Sequence, residues 1–404
     1  MAVDSGLDKE VPLANAARGR VLLAGCIAHV THDGFTDMLY LFFPVWRQAF
    51  ALNFSQVGLL KTLYSGAMSA FQMPCGMIAG RVGILKVLVL GTILTSLSLS
   101  ATGLASSPVL LCLFLALGGM GSSTQHPLSS SAISNAYSAR ASRVALSTYN
   151  FSGDLGKLIL PPLAALLIAY SGWEKTIGLL GLCGLLGAAA ILALLSGIPL
   201  EGNRNRGTAV SGRFSFLFGN NALPFASLSL ISIIDSAVRT GFLTFLPFLL
   251  QGKGADTVTV GVALSLIFAG GAVGKFVCGA AAASLGILRT VIATELATAL
   301  CIYGSLTLRA EATLLLCPFL GIALNGTSSV LYGSVPELVA DASRNEAFAF
   351  FYSCTIGASA LSPAFFGMVS DSVGVKATIA AVAALAITAI PLTALLRGRV
   401  GKGS

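Results

Sequence analysis

Long apolar runs follow one another along almost the whole chain, separated by short polar or Gly/Pro-containing breaks. A helix needs about 20 mostly apolar residues to cross the hydrocarbon core of a bilayer, and the runs have roughly that length. The pattern therefore predicts an all-α membrane protein with twelve transmembrane helices, near residues 21–45, 55–80, 85–105, 108–131, 142–170, 174–196, 220–250, 258–283, 287–308, 311–335, 344–369 and 373–396.

The second half of the sequence repeats the first. Val57-Gly58 recurs 203 positions later as Val260-Gly261, and Cys75-Gly76 recurs as Cys278-Gly279. A duplication of this kind in an apolar chain is typical of secondary transporters, whose halves rock against each other around a site near the bilayer midplane. The predicted organisation is an N-terminal six-helix half, a polar cytoplasmic linker and a C-terminal six-helix half, at residues 1–200, 201–219 and 220–404.

Composition agrees with a membrane protein. Hydrophobic residues make up 55% of the chain, charged residues 10%, and the mean hydropathy is +0.86. Soluble domains carry about 25% charged residues. The eight cysteines all fall within predicted helices and show no metal-ligand spacing, so we expect neither a metal nor a cofactor.

The net charge of +8 is distributed unevenly across the predicted loops. Fifteen of the 24 Lys and Arg residues lie on the side of both termini, five lie on the opposite side, and four lie inside helices. Because basic loops stay in the cytoplasm, both termini are predicted to be cytoplasmic. The charge therefore indicates topology and no nucleic-acid partner. We expect a monomeric multi-pass protein of the bacterial inner membrane, in contact with lipid.

Six plus six helices with a basic linker resemble the major facilitator superfamily over nearly the whole chain. The family's loop between helices 2 and 3, roughly G-x-x-x-D-R-x-G-x-K, is matched by residues 76–86 and again by 279–289, with Gly80 and Ala283 in place of the acidic residue. Within that superfamily the chain looks most like the fosmidomycin-resistance group of drug exporters. The residues that carry this likeness are His29-x-x-x-Asp33, Gly121-Ser-Ser-Thr-Gln-His126-Pro127 and Phe151-Ser-Gly153-x-x-Gly156 with Pro161. The resemblance implies alternating access and export of a small, fosmidomycin-like compound.

Predicted helix 1 carries a ladder of titratable residues. His29, Asp33 and Asp37 lie at i, i+4 and i+8, which places them on one helical face, and His32 lies beside them. Ionisable residues at bilayer depth are rare and mark functional paths. Carboxylates next to imidazoles, which titrate near neutrality, suit proton movement, so these four residues are predicted to couple transport to protons. A static buried network that satisfies its own hydrogen bonds is the alternative.

Further polar residues at membrane depth are predicted to contact substrate. Asp154 and Lys157, three positions apart, can pair on one helix. Asp235 and Arg239 are expected to neutralise each other, whereas Lys275 has no obvious local partner and is expected to snorkel. Retained cations in the cavity favour a small anionic or zwitterionic solute. The candidate substrate-binding residues are Lys61, Gln125, His126, Tyr149, Asn150, Asp154, Lys157, Asp235, Arg239, Asn325 and Tyr352.

The leading hypothesis is a proton-coupled transporter that exports a small polar or anionic compound by alternating access. The alternative keeps the fold and takes up a small organic anion together with protons. An enzyme is not expected, because no G-x-S-x-G, H-E-x-x-H or P-loop motif occurs in a suitable context.

Overall fold

The structure is a computed structural model that describes residues 14–200, 221–339 and 344–400. The predicted linker, 201–219, lies outside the described residues. The helices are α1 (Asn15–Ala49), α2 (Phe54–Val82), α3 (Ile84–Thr102), α4 (Pro108–Ser122), α5 (Gln125–Ala136), α6 (Ala139–Ser171), α7 (Trp173–Leu195), α8 (Ala222–Gln251), α9 (Thr257–Leu285), α10 (Ile287–Thr307), α11 (Ala310–Leu338), α12 (Arg344–Val373) and α13 (Val375–Leu392), followed by a 3₁₀ turn (Thr393–Leu396). We call α1–α7 the N-terminal half and α8–α13 the C-terminal half.

The described helices confirm the predicted all-α membrane architecture. Ten segments are long and apolar enough to cross a membrane, with α4 and α5 together forming one of them. Helices α1 and α2 are not among the ten. Helix α1 is less apolar because it carries the titratable ladder His29, His32, Asp33 and Asp37. Helices α1 and α2 thus fall below the limit because both contribute polar side chains to the interior of the helix bundle.

The fourth crossing is broken into two helices at Ser123-Thr124. Proline has no N–H to donate to the carbonyl four residues earlier, so Pro127 cannot complete a hydrogen bond to Ser123. Pro127 instead occupies the first turn of α5, where N–H groups have no partner within the helix. The break sets Gln125 and His126 at the beginning of α5, facing α1 and α3.

The sequence repeat corresponds to equivalent turns in the two halves. Helix α2 ends at Gly83 with φ of +101°, and α9 ends at Gly286 with φ of +87°. Positive φ is open to glycine at no steric cost, so each glycine allows the chain to reverse within one residue into the next helix. Gly172 and Gly374 do the same between α6 and α7 and between α12 and α13. The repeated glycines therefore preserve the helix connections.

The two halves pack closely at one end of the bundle. We call the membrane side on which α1 begins and α13 ends the near side, and the opposite side the far side. At the far side α2 lies against α12: a Cβ on Gly58 would meet the carbonyl of Pro363, and one on Gly367 would meet the carbonyl of Phe54. Aromatic side chains of α1 and α8, including Phe42, are completely buried at this end. The far side is therefore closed.

An acidic side chain joins the halves at the closed end. Asp371 of α12 accepts hydrogen bonds from the N–H groups of Phe54 (2.7 Å) and Ser55 (2.9 Å) at the N-terminus of α2, and another from the Ser55 hydroxyl. A carboxylate at a helix N-terminus is stabilised by the free N–H groups and by the helix dipole. We call this contact the far-side latch.

Candidate functional site

A central cavity of about 520 Å³ lies between the two halves. This volume suits a small molecule. The N-terminal half contributes most of the charged lining, and the C-terminal half contributes mainly hydroxyl and aromatic side chains. Nine of the predicted site residues line it: His32, Asp33, Asp37, Lys61, His126, Lys157, Arg239, Asn325 and Tyr352.

Asp33 is the centre of the charged cluster in the N-terminal half. Its Oδ2 lies 3.0 Å from the Lys157 ammonium and 3.2 Å from His29 Nε2. Its Oδ1 lies 3.6 Å from His126 Nε2 and 3.7 Å from His32 Nε2. The structure thus brings together the helix 1 residues with one residue each from α5 and α6.

The hydrogen bonds of His29 fix where its proton lies. Its Nδ1 is 2.8 Å from the carbonyl of Tyr149, which can only accept, so Nδ1 carries a hydrogen. Its Nε2 faces the Asp33 carboxylate, which is also an acceptor when ionised. A neutral imidazole would place a lone pair against the carboxylate. A proton held between His29 and Asp33 removes this conflict.

His32 belongs to a chain of polar groups that leads away from Asp33. Its Nδ1 lies 2.6 Å from the Ser122 hydroxyl, which lies 2.9 Å from the Tyr64 hydroxyl. At its other end, His32 Nε2 is 3.1 Å from His126 Nε2, so at least one of these nitrogens carries a hydrogen. Ser122 and Tyr64 were not among the predicted site residues, because neither side chain is charged at neutral pH and their pairing with His32 depends on the packing of three helices.

Three residues of the cluster could hold a metal ion, and Lys157 lies beside one of them, Asp33. Ligand-capable atoms of His29, Asp33 and His126 lie within 4.8 Å of one another, which is compatible with a metal site. The Lys157 ammonium, however, is within hydrogen-bond distance of Asp33 and 3.7 Å from Asp37. A protein cation therefore already balances these carboxylates.

The predicted pairing of Asp154 with Lys157 is wrong. Lys157 turns to the two aspartates of α1, and Asp154 pairs with Lys275 of α9 at 2.7 Å. Lys275 therefore does not simply snorkel to the interface. The local i, i+3 spacing suggested one ion pair, but contact between α6 and α9 supplies a partner from the other half of the molecule.

The predicted neutralisation of Asp235 by Arg239 is also wrong as a direct pair. Asp235 Oδ2 accepts a hydrogen bond from the Ser328 hydroxyl at 2.6 Å, whereas Arg239 donates to Ser236 at 3.3 Å. No ion pair joins the two within the described part of the chain. Arg239 lines the cavity, and no carboxylate among the described residues forms an ion pair with it.

Lys61 is a second cavity cation without a carboxylate in contact, among the residues that the structure describes. It is 2% exposed and lines the central cavity. Its ammonium donates to the carbonyl of Thr36 at 3.2 Å and lies 4.3 Å from the centre of the Tyr40 ring. Thr36 and Tyr40 were not predicted; Thr36 lies three positions after Asp33 and Tyr40 three after Asp37, a spacing that could have indicated that they share this face.

Other predicted residues lie away from the lining. Gln125 is buried and donates to the Thr92 hydroxyl, and Tyr149 stacks on His29 with ring centres 4.1 Å apart. Asn150 is exposed on α6. Asn325, in contrast, lines the cavity, and its side chain donates to a carbonyl of its own helix.

The Major Facilitator Superfamily model matches residues 25–316 and 228–403. Among curated proteins, the chain is 29% identical over 152 residues to the Fosmidomycin resistance protein of Escherichia coli, an alignment that covers 38% of this chain and 37% of that protein. It is 25% identical over 139 residues to the Probable L-galactonate transporter of E. coli, covering 34% of this chain and 31% of the relative. It is 25% identical over 138 residues to the Probable sulfoacetate transporter SauU of Cupriavidus necator, covering 34% of this chain and 32% of that relative. The chain thus aligns with less than two fifths of each relative.

Solved structures show the same fold over almost the whole chain. A bacterial homolog of the human lysosomal transporter Spinster, in an inward-facing and occupied conformation, superposes with a TM-score of 0.79 at 17% identity and covers 97% of this chain and 100% of its own. The nucleoside transporter NupG superposes with a TM-score of 0.77 at 12% identity, and the alignment covers 94% of this chain and 100% of NupG.

Proposed function

The chain belongs to the Major Facilitator Superfamily, and we propose that it is a proton-coupled secondary transporter of a small anionic compound that works by alternating access. The observation that carries this proposal is the cluster in which Asp33 contacts His29 and Lys157 at the wall of the central cavity. We further propose a monomer in the bacterial inner membrane with cytoplasmic termini, and a transport role without catalysis.

Three cations face two carboxylates in the cavity lining. Lys61, Lys157 and Arg239 all act electrostatically on Asp37. Lys61 comes from the N-terminal half and Arg239 from the C-terminal half, so an anion held between them would contact both halves. Such an anion would favour the state in which the halves converge on it, which is a requirement for alternating access.

Protonation of Asp33 would act on the cavity through Lys157, which supports proton coupling. When Asp33 takes up a proton, its attraction for the ammonium falls, and Lys157 is free to turn toward Asp37 or toward a bound anion. Lys157 therefore forms the physical connection between the proton cluster and the cavity. Tyr352 lines the opposite wall, where an aromatic ring can pack against the apolar part of a substrate.

Export is the direction that we propose, on the likeness to the Fosmidomycin resistance protein. The closed far side, with termini in the cytoplasm, corresponds to a state that loads substrate from the cytoplasm. Uptake by proton symport is the second candidate. It is favoured by electrostatics, because neutralising Asp33 adds net positive charge to the cavity and strengthens anion binding.

Purified protein in liposomes tests the proposal. Radiolabelled phosphonates, sugar acids and sulfonates would be offered while a pH gradient is imposed in either orientation. Export by antiport predicts accumulation on the acidic side, from which protons leave. Symport predicts accumulation on the alkaline side, together with the entering protons. Transport that ignores the gradient contradicts proton coupling itself, and preference for organic cations contradicts the anionic substrate.

A further inference from the structure

The C-terminal half contains a buried carboxyl group that the site around Asp33 does not use. Glu295 of α10 is 1% exposed, and its Oε1 has no hydrogen-bond partner among the described residues. No described cation forms an ion pair with it. Placing an unpaired carboxylate in such surroundings is strongly unfavourable, so the group is expected to carry a proton.

A second carboxyl group lies within electrostatic range of Glu295. Asp235 of α8 is buried, and its Oδ2 accepts a hydrogen bond from the Ser328 hydroxyl of α11 at 2.6 Å. Asp235 acts electrostatically on Glu295, and Arg239, one turn along α8, acts on Asp235. Two like charges in one region of low dielectric are unfavourable together, so the pair retains a proton when Asp235 is ionised.

The surrounding helices connect this pair to the cavity. Thr327, next to Ser328 on α11, donates to Thr294, next to Glu295 on α10, at 2.7 Å. This contact holds α10 against α11, and the hydrogen bond between Ser328 and Asp235 holds α11 against α8. Ser328 itself lines the cavity, so its hydroxyl lies between solvent in the cavity and Asp235.

We propose that Asp235 and Glu295 form a second proton-binding site, in the C-terminal half, that exchanges protons with the cavity through Ser328. The proposal rests on the proposed proton-coupled transport and extends it to two protons for each substrate. Asp235 lies 202 positions after Asp33, so the repeat places one acidic group in the first helix of each half.

The number of coupled protons is measured by the substrate gradient that a pH gradient sustains. Each coupled proton changes the accumulation ratio by about tenfold per pH unit. The wild-type protein in liposomes is expected to approach a hundredfold change per pH unit, and Glu295→Gln is expected to fall to about tenfold. Glu311→Gln, an exposed acid on α11, is the matched control and should keep the wild-type slope. Exchange of labelled for unlabelled substrate without a gradient verifies that each variant is folded.

Infrared difference spectroscopy of the purified protein gives an independent measurement. A carboxylic acid C=O band is expected at neutral pH that Glu295→Gln removes and Glu311→Gln retains. Loss of this band together with the reduced slope supports the site. If the accumulation ratio of the wild-type protein changes only about tenfold per pH unit, and Glu295→Gln leaves that change unaltered, the second site is refuted while the proposed function stands. Dependence of the slope on Na⁺ overturns it in favour of a sodium site. If accumulation does not respond to pH at all, the proposed function is refuted. If, in addition, Glu295→Gln retains the infrared band, the second proton-binding site is refuted as well.

Discussion

Replacing Asp371 by alanine should open the far side of the transporter. The far-side latch consists of three hydrogen bonds from α2 to this one carboxylate, and the two partners belong to different halves. A hydrogen bond to a charged group contributes roughly 1.5–3 kcal/mol, but exposure to water reduces the total. We take about 2 kcal/mol for the whole latch, which corresponds to a shift of about 30-fold toward the far-side-open state.

Cysteine accessibility measures this shift. Leu246 of α8 is completely buried in the closed far side, so a Leu246→Cys variant reacts with an impermeant maleimide only when that side opens. In a background without reactive native cysteines, Asp371→Ala should accelerate labelling by about 30-fold, in proportion to the open population. Substrate that favours the near-side-open state should slow labelling again.

Asp256 provides the matched control for the latch. It also accepts a hydrogen bond at a far-side helix N-terminus, from Thr259 N–H at 2.7 Å, but donor and acceptor belong to the same half. Hydrogen bonds from Thr259 lower the pKa of Asp256, so this cap is ionised at neutral pH and is lost only as the pH falls through the lowered value. Asp256→Ala should leave labelling unchanged. An unchanged rate in Asp371→Ala, or equal acceleration in both variants, would refute the latch.

Three other substitutions test one contact between the halves and the binding of the anionic substrate. Gly58→Ala places a Cβ against the Pro363 carbonyl and should destabilise the closed far side by about 1–3 kcal/mol, which would be seen as faster labelling of the cysteine. Gly66→Ala on the same helix is the control, because its Cβ meets open space and should leave the labelling rate unchanged. Equal labelling rates in the two variants would contradict the packing argument. Lys61→Gln and Arg239→Gln should each weaken binding of an anionic substrate by about tenfold or more, since each loses a charge-assisted contact. Calorimetry that finds unchanged affinity in both variants would exclude Lys61 and Arg239 as ligands of the substrate.

The architecture was predictable from sequence because it depends on local rules. Apolar length predicted the helices, and the repeated loop motif at residues 76–86 and 279–289 predicted the turns that contain Gly83 and Gly286. Family likeness identified His29, Asp33 and His126, which the structure places within one cluster. Helical spacing alone places residues on a face, and that was sufficient to group His29, Asp33 and Asp37 on α1.

The ion pairs were not predictable in the same way. Asp154 has a cation three positions away on its own helix, yet its partner is Lys275, 121 residues further along the chain. Which cation an acid meets depends on how α6 packs against α1 and α9, and that information is spread over the whole fold. Hydroxyl groups such as Ser122 and Tyr64 were missed because their role depends on the same packing.

The most direct test of proton-coupled transport is the Asp33→Asn variant, measured in liposomes in two modes. Asparagine keeps the size of the side chain but cannot exchange a proton with His29. The account predicts that exchange of labelled for unlabelled substrate continues, while accumulation driven by a pH gradient is abolished. Accumulation against a gradient at the wild-type level in Asp33→Asn would contradict the account.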